Sequence, residues 1–177
     1  IYNGIDLQFY NNQLDRDECC EKLCLDKNFR YITTIASIEQ RKGIVELIQS
    51  FSLISSKYKD VKLLIVGKDR TIKQEYLNLV KKEINRLRLG KSVILYGESQ
   101  MIKEIMQISE LFLLKSAWEG LSRVLLEAMA CGKAIIASNG GGNKEQVLNN
   151  INGFTTDFGD IIGFSKDIET CLQDKAI

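Results

Sequence analysis

Short continuous apolar runs alternate along the chain with longer stretches in which apolar residues return every three or four positions. The runs at residues 31–38, 61–66, 93–96, 111–114, 134–138 and 153–156 read as strands. The stretches between them read as helices: residues 43–57, with Ile44, Leu47, Ile48, Phe51 and Ile54 on one face, then 72–87, 101–107, 122–130, 143–148 and 163–172. Strands separated by helices cannot pair as hairpins, so they predict parallel pairing through right-handed crossovers. Because the strand cores are almost uninterruptedly apolar, the sheet is expected to be covered on both faces. The predicted fold class is α/β, a doubly wound parallel sheet of Rossmann-like type. Ligands of such sheets bind beyond the carboxyl ends of the strands, where the loops starting near Ser37, Gly67, Gly97, Ser116 and Ser138 are expected to converge.

Composition narrows the function classes. At 177 residues, 45% apolar and 27% charged, the chain is sized for one domain with a real core and is neither disordered nor fibrous. Its 24 basic and 23 acidic residues leave a formal charge of +1, which removes the electrostatic case for a nucleic-acid partner. No apolar run is long enough to cross a bilayer and no signal segment opens the chain, so a soluble, cytoplasmic setting is expected. The five cysteines are an odd number in a domain that does not need staples, and they read as reduced thiols. Without any histidine the cluster Cys19, Cys20, Cys24 lacks the ligands of a structural zinc site, and Cys20 and Cys24 are expected to share one face of a short helix. The missing histidine also excludes Ser-His and Cys-His nucleophiles. Neither G-x-G-x-x-G nor a Walker-type loop is present, which argues against dinucleotide oxidoreductases and P-loop NTPases. The start at Ile1 without methionine suggests an excised fragment, and the absence of proline has no functional reading.

The chemistry concentrates in WEGLSRVLLEAMACGKAIIASNGGGNKEQV, residues 118–147. A buried strand, a turn at Glu119-Gly120 and a helix from Leu121 onward make a helix N-terminus, where unpaired amides and the positive dipole end suit a phosphate or diphosphate. Gly120 allows close backbone approach, and Leu121 and Ser122 offer N–H groups, although Ser122 equally suits a plain helix cap. Glu119 and Glu127 bracket this anion site, roughly 12 Å apart at 1.5 Å per helical residue. A diphosphate between two polyhydroxylated ends, the shape of a nucleotide-sugar, matches this layout. Read alone, Glu119 could serve only the helix dipole, Glu127 only a neighbouring base, Lys42 only solvent, and Gly140-Gly141-Gly142 only a flexible connector rather than a close approach to a ligand.

The segment resembles the Glu-x7-Glu segment of the retaining GT-B glycosyltransferases of glycosyltransferase family 4, the glycosyl transferases group 1. The resemblance continues in ASIEQRKG (residues 36–43), similar to G-R-L-x-x-x-K-G, and in YNGID (residues 2–6), similar to the N-G-hydrophobic-D that opens the family's C-terminal domain. It implies the C-terminal half of a GT-B fold, with residues 1–30 as an interdomain lead-in and short helix and 31–177 as the nucleotide-sugar-binding domain. The implied enzyme transfers a hexose-type sugar from a nucleotide diphosphate donor to an acceptor hydroxyl, in polysaccharide or lipopolysaccharide synthesis. Glu119, on the sugar hydroxyls, and Lys42, on the diphosphate, take the catalytic roles. Ser37, Gly97, Glu98, Gly120, Leu121, Ser122 and Glu127 bind donor, Glu127 at the ribose and the loop 97–101 at the base. No cofactor and no essential metal are implied. The implied partners are the nucleotide-sugar and an acceptor glycan or lipid-linked glycan reached through an N-terminal domain, with peripheral membrane association of the parent enzyme. Departures from the pattern are Ser37 where the family often has arginine, which removes one source of charge neutralisation for the leaving group, and Lys144 where proline is common. Arg41 neighbours Lys42 but not at the matching position, and Glu145 reads as structural. The serine motivates a second reading, a catalytically decayed nucleotide-binding module, and a third is a GT-B relative that isomerises or hydrolyses nucleotide-sugars.

Overall fold

The computed structural model describes residues 4–11, 13–71 and 73–173. Six strands form one wholly parallel sheet: β1 (Arg30–Ile35), β2 (Val61–Val66), β3 (Val93–Gly97), β4 (Ser109–Leu114), β5 (Ala134–Ser138) and β6 (Phe154–Thr156), in the order β3-β2-β1-β4-β5-β6. The sequence runs outward from β1 to β3, returns to the centre, and runs outward the other way from β4 to β6. The point where the order reverses therefore lies between β1 and β4.

Alternation along each strand sorts its side chains into two layers. Ile32, Leu63, Ile65, Leu111, Leu113 and Ile136 pack with α3 (Ile44–Ser52), α4 (Glu75–Arg86) and α8 (Ile161–Gln173), through Leu47, Phe51, Val80, Phe164 and Ile168. Tyr31, Leu64 and Val66 on the other face meet α2 (Arg16–Lys22) and α5 (Ile102–Ile108) through Cys19, Cys20, Ile105 and Ile108. Phe112, Leu114, Ile135 and Ala137 continue that face against α6 (Arg123–Ala130) through Leu125 and Ala128. Two shorter helices, α1 (Leu7–Asn11) and α7 (Asn143–Gln146), complete the chain.

The sequence reading differs from this in two instructive places. The helix expected from residue 43 begins at Ile44, because residues Gln40–Lys42 form a separate 3-10 turn and Gly43 adopts the left-handed conformation at φ 61° between the two. Cys20 and Cys24 do not share a helix face: α2 ends at Lys22, and Cys24 lies beyond it, exposed and at φ 54°, while Cys19 and Cys20 are buried. The short helix expected within residues 1–30 is present as α2, which packs into the core with Leu23 as well as the two cysteines buried. Ile72, Tyr2 and Asn3, part of an expected helix and of the YNGID motif, lie outside the described residues. Among the described residues no helix is long and apolar enough to cross a membrane.

Candidate functional site

Two loops meet at the reversal point. The loop after β1 carries the 3-10 turn Gln40–Lys42, and the loop after β4 carries Glu119. They are tied by backbone, since the Ala117 N–H donates to the Arg41 carbonyl at 2.8 Å. They are also tied by side chain, since the Lys42 ammonium donates to Glu119 Oε1 in an ion pair whose side chains are only 13% and 11% exposed. The two residues expected to take catalytic roles are thus brought into direct contact from positions 77 residues apart. The Arg41 guanidinium stands on the same carboxylate, Nη1 lying 3.7 Å from Glu119 Oε2.

The glycine turn makes a close approach within the protein that the sequence did not show. A side chain at Gly140, Gly141 or Gly142 would overlap the carbonyl oxygen of Ala117, Glu119 or Gly120 respectively. Glu119 and Gly141 form a parallel bridge, and the Gly142 N–H donates to the Glu119 carbonyl at 2.8 Å. The glycines let this turn lie flat on the segment that carries Glu119, so close approach is to backbone. Ser122 also departs from expectation. Its N–H is occupied by Gln146 Oε1 at 2.8 Å, its carbonyl accepts from Gln146 Nε2 at 3.0 Å, and its hydroxyl makes no capping bond. Gln146 therefore pins the entrance of α6, and the helix's positive end is left to the first-turn amides from Arg123 onward. At Gly120 an added Cβ would meet nothing within 4 Å, so the space over this turn is open.

Glu127 sits midway along α6 and faces the phenol of Tyr10, which is pushed up to about 12 by its burial and then by that carboxylate. At the other end, Ser37 and Glu98 line a cleft of about 210 Å³ with Gly67, Lys68 and Arg70. Glu98 is paired with Lys68 and with Arg70, the latter at 3.3 Å, and chiefly the Lys68 contact holds its carboxyl below the usual carboxylate range. Gly97, at φ 87°, accepts the Gly67 N–H at 2.8 Å and so joins the loops after β2 and β3. A second cleft of about 470 Å³ abuts the first through Ser37 and Arg70, and includes Glu39, Arg41 and Asp69. Among the described residues no cluster of three or more histidine, cysteine, aspartate or glutamate side chains is gathered that could hold a metal.

Lys115, at the exit of β4, is 1% exposed. Its ammonium donates to the carbonyls of Asp157 at 3.1 Å and Asp160 at 2.9 Å and lies 4.4 Å from the centre of the Phe164 ring. Burial pushes it down to about 8. The folded chain therefore releases this proton before the unfolded chain does, whose lysine titrates near 10.5. Between those values the unfolded state binds more protons, so this group makes stability rise with pH, and below pH 8 it contributes no slope. The stability of the wild type relative to Lys115→Met is expected to grow by about 1–3 kcal/mol from pH 8 to 10.5 in urea titrations. The difference between the two proteins is the quantity to follow, because Tyr31, raised to about 12, and the raised thiols of Cys19 and Cys20 pull the other way. A difference that does not change with pH would refute the buried charge.

Sequence reasoning missed the roles of Gln146, Tyr10 and Lys115. Lys115 alone left a readable trace, a charge directly at the end of an otherwise apolar strand.

The chain matches the model of a family described as glycosyl transferases group 1 over residues 15–176. It is 29% identical to N-acetyl-alpha-D-glucosaminyl L-malate synthase of Bacillus anthracis, over all of this chain and 45% of that protein. It is 32% identical to the capsular polysaccharide biosynthesis glycosyltransferase CapM of Staphylococcus aureus, over 99% of this chain and 45% of CapM. Among solved structures, HepE of Anabaena in complex with UDP and glucose superposes with a TM-score of 0.89 at 28% identity, covering 98% of this chain and 47% of HepE. The chain thus spans about half the length of the curated relatives it matches. A doubly wound sheet with a cation pair and a carboxylate at its reversal point, matched by this family over nearly its whole length, leads to one assignment: the chain belongs to the glycosyl transferases group 1 family and corresponds to the C-terminal half of a GT-B glycosyltransferase.

Proposed function

We propose that this chain is the donor-binding half of a retaining glycosyltransferase that moves a hexose-type sugar from a nucleotide diphosphate to an acceptor hydroxyl in polysaccharide or lipopolysaccharide assembly. The observation that carries the reading is the convergence of Lys42 and Glu119 beside the open Gly120 turn and the N-terminus of α6. Lys42 is a compact cation suited to phosphate oxygens, and the first-turn amides add donors that need no reorganisation when charge develops on the leaving diphosphate. Glu119 would then exchange Lys42 for sugar hydroxyls, and Glu127 would accept from the ribose in place of Tyr10. The cleft lined by Ser37, Gly67 and Glu98 would receive the base. The UDP and glucose bound to HepE support a nucleotide-sugar as the ligand. The acceptor glycan or lipid-linked glycan would be held by the other half of the enzyme, which would also close the cleft against water. No cofactor or metal is required by this scheme.

Calorimetric titration of the chain with UDP, GDP, ADP and their hexose conjugates tests the reading. One nucleoside diphosphate is expected to bind selectively, at micromolar to millimolar Kd, and the chain alone to transfer no sugar. Absence of binding by every nucleotide to the folded chain would overturn the donor assignment, and robust turnover by the chain alone would overturn the division of labour. Retention is read from the anomeric configuration of the product formed by the full-length enzyme.

A further inference from the structure

Glu119 and Glu127 are both occupied in the free chain, but by different chemistry. Glu119 is held by the Lys42 ammonium, whereas Glu127 accepts from a hydroxyl, the phenol of Tyr10. Tyr10 belongs to α1, which lies against α6 and is fastened there by weak contacts. The Cys131 thiol donates to the Tyr10 carbonyl at 3.6 Å, and a thiol is a poor donor. The Lys103 ammonium stands 4.9 Å from the centre of the Phe9 ring, which meets the Tyr10 ring edge to face at 5.0 Å. None of the five residues of α1 is buried, and Leu7 and Phe9 are 63% and 54% exposed. A helix of little more than one turn does not persist without tertiary support, so α1 stands at the low-stability end of the fold.

We propose that Tyr10 is a latch on the ribose end of the donor site: its phenol takes the place of a ribose hydroxyl on Glu127, and donor binding displaces it and releases α1. This rests on the donor-site reading given above. A phenol and a sugar hydroxyl are the same kind of donor to a carboxylate, so exchanging one for the other gains little. A ribose diol brings two hydroxyls to the two carboxylate oxygens and replaces one bond with two. A nucleotide without the diol has nothing to exchange and leaves the latch closed. The cost of opening falls on α1, whose contacts with α6 are weak enough to give way. Residues Leu7–Asn11 are then docked in the free chain and released in the donor complex, so the segment ahead of the sheet reports whether the ribose end is filled.

Binding of UDP, GDP and ADP, and of their 2′,3′-dideoxy forms, is measured by calorimetry for the wild type, Tyr10→Phe, Glu127→Ala and the double variant Tyr10→Phe/Glu127→Ala. Tyr10→Phe keeps the ring and removes only the hydroxyl. The ribonucleotide that binds the wild type is expected to bind Tyr10→Phe about three- to tenfold more tightly, because the donor it must displace is gone. Its dideoxy form is expected to bind both proteins alike, and Tyr10→Phe to add nothing once Glu127 is alanine. Alkylation of Cys131, whose thiol is engaged by the Tyr10 carbonyl, gives a second readout: saturating ribonucleotide is expected to speed it about threefold or more. The exposed Cys24 is the internal control and should label at an unchanged rate. Unchanged or weaker ribonucleotide binding by Tyr10→Phe would make the phenol a structural support of Glu127 and overturn the latch with the donor site intact. Cys131 labelling that the nucleotide leaves unchanged or slows would overturn the release of α1. If the wild type binds none of the nucleotides, the donor site itself fails and no ribose exists to open the latch.

Discussion

Gly43→Ala is expected to lower the melting temperature of the chain by about 5–15 °C, an unusually large response to a single methyl group. Gly43 is held at φ 61°, where an L side chain costs roughly 1–2 kcal/mol. An added Cβ would also overlap the Lys115 carbonyl oxygen and stand 2.6 Å from the Phe158 ring. That oxygen cannot step aside cheaply, because it belongs to the segment in which the Ala117 N–H binds Arg41 and the Lys115 side chain is anchored beneath Asp157 and Asp160. Overpacking against backbone adds about 1–3 kcal/mol, which gives a total of roughly 2–5 kcal/mol, and each kcal/mol moves the midpoint by about 2–4 °C in a domain of this size. Because the clash parts the two loops that carry Lys42 and Glu119, affinity for the nucleoside diphosphate should fall in whatever fraction stays folded. Gly120→Ala is the matched control: a Cβ there meets nothing within 4 Å, and its melting temperature should stay within a few degrees of wild type. Equal melting of the two variants would refute the account of Gly43.

Gly43 also marks where the sequence stops being legible. The strands could be read because a sheet covered on both faces needs nearly unbroken apolar runs, and β2 and β5 fall on the residues that pattern picked out. The crossover helices made parallel pairing legible but not strand order, and it is the reversal between β1 and β4 in the folded sheet that brings Lys42 and Glu119 to one crevice. Contacts that depend on two distant loops meeting were not readable. The Arg41 guanidinium has no apolar period to betray its direction, and its adjacency to Lys42 says nothing of Glu119, 78 positions ahead by the numbering. The glycine turn was visible as glycines, but its reason is the carbonyl row of residues 117–120, which only the fold places against it. Ser122 looked like a phosphate donor because its position at a helix start is local information, whereas its actual partner, Gln146, comes from a helix 24 positions on. The short α1 escaped for want of length, and with it the phenol that faces Glu127.

Lys42 and Glu119 should respond to substitution in opposite senses, and this contrast is the sharpest test of what their contact is for. Lys42→Ala is expected to weaken the nucleoside diphosphate by about 10- to 100-fold, the loss of a charge-assisted contact worth roughly 1.5–3 kcal/mol. Glu119→Gln leaves the shape of the site unchanged but removes the charge that Lys42 engages in the free protein. A diphosphate then no longer competes with a carboxylate for the ammonium, so its affinity should hold or rise, by about 2- to 10-fold, when no sugar is attached. The nucleotide-sugar should behave differently, since an amide offers one acceptor oxygen where the carboxylate offers two, and the added affinity conferred by the hexose should shrink. Titrating both ligands into both variants separates this exchange from a purely structural ion pair. If Glu119 served only to hold Lys42 in position, Glu119→Gln would loosen the lysine and weaken the nucleoside diphosphate and the nucleotide-sugar by the same factor. A selective loss of the sugar increment, with diphosphate affinity retained, is what a carboxylate that trades a lysine for a hydroxyl requires.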